Sequence, residues 1–120
     1  MINHKPATLA EAVAMMRQLL FPEELEVLKR SKVDELARFH FNHGEFVRNL
    51  WVHRGGSPLT ERICEHGGTV ENGDDFSQLV LEALWHDLNG LPYDVSRSEH
   101  LQRMLHNCCD QRFAAELWPR

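Results

Sequence analysis

Two histidines three positions apart, His40 and His43, stand in the run ARFHFNHGEFVRNLWVHRGGSP, shortly before Arg48. At helical spacing such imidazoles are neighbours, and could share a proton or a metal ion. With Asn49 and Asp75 they make one candidate polar cluster: His40, His43, Arg48, Asn49 and Asp75. A second candidate lies directly after it. Arg54, Gly55, Gly56 and Ser57 lead into a helix start, where unpaired amides and the positive dipole end suit a phosphate or carboxylate. A metal site would need completion by His53, Cys64, His66 or His86, of which the thiolate and imidazoles are good zinc ligands. No Cys-x-x-Cys, His-Glu-x-x-His, Walker-type or dinucleotide-type pattern is present. No catalytic residue, metal or cofactor is therefore assigned. The simpler reading takes the two histidines as core residues with local hydrogen-bond partners, the glycines as turn formers and Ser57 as a helix cap.

The elements that must position these residues read as helices throughout. Thr8 and Glu11 form a capping box ahead of an apolar stripe of Leu9, Ala12, Val13, Met16, Leu19 and Leu20. Pro22 with Glu23 and Glu24 suits the first turn of a short helix over about 23–30. A long third helix is expected from 32 to 51. On it Asp34, Glu35, Arg38, Asn42, Glu45 and Asn49 share a polar arc, and an apolar arc fills most of the remainder. That pattern marks a central helix packed on two sides, with both histidines inside the apolar arc. Ser57-Pro58 opens a helix over 58–66. Asp75, with Gln78 three residues on, is read as the cap of a helix over 76–89, and Ser96 with Glu99 as the start of a last helix over 97–118. No alternating β-branched run marks a strand. The expectation is an all-α fold, one compact domain over 1–120 with five or six helices.

Composition narrows the partners. A net charge of −5 and a pI near 5.9 carry no basic footprint for nucleic acid. Binding it would require Arg38, Arg48, Arg54 and Arg62 to share one exposed face. The N-terminus has no signal-peptide core, and no apolar run approaches the roughly 18–20 residues of a membrane span. Three cysteines, two of them the adjacent Cys108 and Cys109, read as reduced thiols in a cytoplasmic protein. Trp85 falls off the main apolar arc of its helix and is the candidate aromatic anchor of an interface, or else part of a second buried face.

The motifs also resemble a known family. His40-Phe41-x-x-Gly44-x-x-x-Arg48-Asn49-x-Trp51, then Gly56-Ser57-x-Leu59, then Asp74-Asp75-x-Ser77 and Leu88-x-Gly90, are similar to a family of small bacterial helical proteins classed as a domain of unknown function. The likeness spans about 9–90 and departs after Trp51, where Val52-His53-Arg54 replaces an expected Leu-Trp. It implies a small helical fold and a shared polar cluster, and no activity. An Arg48 pair with Asp74 or Asp75, holding two helices together, is a structural reading of that cluster.

The function expected first is binding of another protein, in the manner of an adaptor, inhibitor or immunity protein, with no catalysis. The alternative is a ligand- or metal-binding protein, or a hydrolase, using His40, His43, Arg48 and the Gly55–Ser57 turn. The last helix either completes the core or mediates self-association.

Overall fold

Local chemistry sets the helix starts. Thr8 Oγ1 accepts the Glu11 amide at 3.1 Å, and the Glu11 carboxylate reaches back to the Ala7 amide at 2.7 Å. Behind this box runs α1 (Leu9–Leu19), which buries Leu9, Ala12, Val13 and Met16. Phe21 then passes the chain through Pro22 into α2 (Pro22–Arg30). The computed structural model describes residues 5–107 and 110–118, with the side chains of His40 and Phe41 outside that description. Cys108 and Cys109 lie outside it too. Among the described residues there is no strand. Eight helices are present, seven α-helical and one π-helical, together with two 3-10 segments, which corrects the expected five or six.

The larger correction concerns residues 32–51. They form a 3-10 segment (Val33–Phe39), a π-helical turn (His40–Gly44) and only then α3 (Glu45–Trp51). Side-chain bonds to the backbone mark both the start and the middle of this stretch. The Glu35 carboxylate takes the Lys32 amide at 3.0 Å, while the Glu35 amide bonds Lys32 O only three residues back. Asn42 Oδ1 takes the amide of His43 at 2.6 Å. Such local bonds offer the chain an alternative to the regular helix ladder. The last helix is likewise two: α6 (Glu99–Met104) and α7 (Gln111–Leu117). His106 and Asn107 separate them in left-handed conformations, with φ of 55° and 64°. Ser98 caps α6 by accepting the Leu101 amide, not Ser96 as expected, and Asp110 caps α7 through the Arg112 amide at 2.8 Å.

The central helix is α5 (Asp74–Leu88). Phe76, Leu79, Val80, Leu81, Ala83 and Leu84 are all fully buried, so it packs on several sides at once. It touches α1, α2, α3, α6, the 3-10 segment and the π turn, and α4 (Pro58–Glu65) adds Leu59 and Ile63 to the same core. The cap of α5 is Gly73 at φ 86°, and Asp75 lies inside the first turn. A radius of gyration of 13.2 Å agrees with the ~13.6 Å of one globule this long. Among the described residues no helix is long and apolar enough to cross a membrane.

Candidate functional site

The first predicted cluster divides in two. Arg48 on α3 is only 8% exposed and crosses to the start of α5. Its Nη1 donates to Ser77 Oγ at 3.2 Å and stands 3.8 Å from Asp74 Oδ1, while Ser77 Oγ donates to the Asp74 carbonyl at 3.0 Å. Two glycines wall the slot: a Cβ on Gly44 would lie 3.1 Å from Arg48 Nη1, and one on Gly73 3.1 Å from Arg48 Cγ. The motif residues Gly44, Arg48, Asp74 and Ser77 are thus one interhelical lock. His43 is buried beside it, stacked on Phe39 at 5.4 Å with Glu24 Oε2 3.9 Å from its Nδ1. Burial holds the His43 imidazole below its usual range, against the opposing pull of Glu24. Asn49 is exposed and stands apart from the lock. The His40 side chain lies outside the described residues. With Arg48 buried, the four arginines do not share one exposed face.

At the Gly55–Ser57 turn the helix amides are already used. Ser57 Oγ takes the Thr60 amide at 3.2 Å, Thr60 Oγ1 takes the Ser57 amide at 2.8 Å, and the Pro6 carbonyl takes that of Leu59 at 2.9 Å. Pro58 has no N–H. The carbonyls of Arg54 and Gly56 both accept from Lys5 Nζ at 2.8 Å, so the turn grips a cation of its own chain. Gly55 and Gly56, at φ 81° and 73°, adopt the left-handed conformation that the turn needs.

Trp85 is half-buried, with its indole N–H donating to the Ser31 carbonyl at 2.7 Å. Asn89 Nδ2 donates to the Lys29 carbonyl at 3.2 Å. Together they satisfy carbonyls left over at the C-terminus of α2, which accounts for the tryptophan without an interface.

Asp75 faces away from Arg48, toward residues that sequence reasoning passed over. Its Oδ1 accepts from Arg103 Nε at 2.9 Å and Nη2 at 2.8 Å, and lies 3.0 Å from His100 Nδ1. His100 Nε2 is 3.9 Å from Glu82 Oε2, and Tyr93 Oη donates to Glu82 Oε1 at 2.5 Å. Burial pushes the Asp75 carboxyl up, but the hydrogen bonds from Arg103 and His100 outweigh it and leave the group below its usual range. Burial and the adjacent Glu82 charge drive the Tyr93 phenol far up, so it stays neutral and donates. The only sequence signal for this network was the spacing of His100 and Arg103 on one side of a short helix. Among the described residues, no group of three or more His, Cys, Asp and Glu is placed to hold a metal ion.

Residues 5–88, well over half of the chain, match the family model described as Domain of unknown function (DUF6794). No curated protein and no solved structure matches the chain.

Proposed function

We propose that this chain, which belongs to the DUF6794 family, acts by binding another protein and not by turnover. The observation that carries the reading is the corner between α1 and α2. Phe21 is 70% exposed there, Val27 57% and Leu19 48%. Phe21 caps the start of α2 and Val27 lies in its second half, so the exposed apolar side chains are spread along α2 and the end of α1. Exposed large apolar side chains are candidates for docking, and aromatic ones anchor interfaces. Glu23 and Glu26 flank the corner, and the net charge of −5 favours approach of a basic partner surface. A standard interface takes about 800 Å² from each partner. Three side chains cannot supply that area, so the charged rim of α2 takes part.

A chemically crosslinked affinity capture from source cells tests the reading, run with the wild type and with a Phe21→Ser/Val27→Ser variant. The expected result is a discrete partner that the variant loses while its melting stays unchanged. Equal capture by the two proteins, or no partner for either, would remove the α1–α2 corner from consideration.

A further inference from the structure

The loop after α4 and the end of α6 line an open cavity of about 260 Å³ at the surface, against the first turn of α5. It shares no residue with the α1–α2 corner, so a ligand role for it stands without the protein-binding reading. Glu71 and His106 both line it, and both hold positive φ, 41° and 55°. Non-glycine residues avoid that region, and where they adopt it together the surrounding structure has fixed them there.

The polar groups of the cavity are placed in complementary sets. All three hydrogen-bonding contacts of Asp75 converge on Oδ1, and among the described residues nothing donates to Oδ2. Glu71 also lines the cavity and adds a second carboxylate to it. On the donor side, Arg103 spends Nε and Nη2 on Asp75, while its Nη1 has, among the described residues, only Glu99 Oε2 at 3.9 Å. Asn72 uses Oδ1 to accept the Asp74 amide, which leaves its N–H₂ as a donor. Among the described residues the His106 ring makes one contact, Nε2 to Thr69 Oγ1 at 3.5 Å. Val70 and Met104 supply apolar wall.

Charge balance narrows the ligand. A simple anion would meet Asp75 and Glu71, and a simple cation would meet Arg103. A molecule with both charges satisfies both sides. The volume is that of roughly nine waters at about 30 Å³ each, too little for a nucleotide. We propose that this cavity binds a free α-amino acid with a small aliphatic side chain. Its ammonium group sits on Asp75 Oδ2 and Glu71, its carboxylate on Arg103 Nη1 and His106, and its side chain against Val70 and Met104.

Titration calorimetry with L-valine, N-acetyl-L-valine and L-valinamide tests the assignment, since each blocked analogue removes one charge. L-Valine is expected to bind, and each analogue to bind at least about tenfold more weakly, the usual scale for one charge-assisted contact. His106→Asn keeps a residue tolerant of positive φ. It should leave melting unchanged and weaken L-valine binding about tenfold. Asp75→Asn should weaken binding as well, with some loss of melting temperature from the altered Arg103 contact. The assignment is overturned if L-valine gives no heat at about 10 mM, a concentration well above the millimolar range of weak specific binding. It is equally overturned if the blocked analogues bind as tightly, or if His106→Asn binds like the wild type.

Discussion

Asp74 and Asp75 are adjacent in the first turn of α5, yet they face different helices, α3 and α6. Asp74 faces Arg48, whose side chain is 9% exposed in a slot walled by two glycines. Asp75 faces Arg103, whose side chain is 52% exposed at the rim of a cavity. The first arginine is enclosed by its own fold and reaches Ser77 and Asp74 at the start of α5. The second keeps an edge turned to open space. Two arginine–carboxylate pairs of similar chemistry therefore separate by burial alone: one holds helices together, and the other is accessible to a ligand. Residue type and motif membership did not distinguish them, because both aspartates belong to the Asp-Asp-x-Ser pattern.

Substitutions in the two pairs should therefore carry unequal costs. Arg48→Ala should be the most damaging, at about 3 kcal/mol, because it opens a cavity and leaves Ser77 without its donor inside the core. Urea denaturation measures it, and a loss below about 1 kcal/mol would mean that the lock is not a structural centre. Gly44→Ala comes next, at about 1–2 kcal/mol. The added Cβ would press on Arg48 Nη1 at 3.1 Å and on the Phe39 carbonyl at 3.2 Å. If Gly44→Ala costs nothing in wild type, the slot is looser than its geometry indicates. Combined with Arg48→Ala, the two losses should sum to less than their separate values, since removing the guanidinium relieves one clash. Arg103→Gln should cost no more than about 1 kcal/mol, as expected of a pair exposed to solvent. A loss as large as that of Arg48→Ala would erase the distinction between the two pairs.

How much of this was visible in the sequence depends on the range of the interaction. Thr8 with Glu11, Pro22, and Ser57 with Pro58 announced helix starts correctly, because each involves residues within one turn. The Arg48 link to the start of α5 was legible through its motif, although its partners lie 26 to 29 positions further along the chain. The break in residues 32–51 was not. Apolar periodicity cannot report that Asn42 turns its side chain onto the His43 amide, which takes that donor from the regular helix ladder. The stop at His106-Asn107 left a faint trace, since Asn tolerates the left-handed region and Asp110 is a good restart. The continuing stripe through Met104, Leu105 and Ala115 concealed it. The cavity was invisible for a further reason: Asp75 meets Arg103 only when α5 and α6 pack, and no local pattern encodes that meeting.

The smallest effect predicted separates the two regions by pH. His43 lies on the lock side, and burial holds its folded pKa below the unfolded value of 6.5. Between those values the unfolded chain binds the proton and the folded chain resists it. The His43 contribution is therefore complete above pH 6.5 and declines as pH falls through the folded pKa. Asp75 lies on the cavity side, with a folded pKa below the unfolded 3.8, so its contribution is complete above that pH and is lost only in stronger acid. Acidification should thus erode the lock first and the cavity pair second. Melting temperatures from about pH 7.5 down to about 3 resolve the two stages. His43→Gln should flatten the decline that begins near pH 6.5 while leaving the acid limb below about pH 4 in place. Asp75→Asn should do the reverse. If His43→Gln leaves the upper limb unchanged, the imidazole takes up its proton as readily in the fold as outside it. The lock side would then be wetter than the stacking on Phe39 implies, and the contrast between an enclosed and an open pair would rest on Arg48 alone.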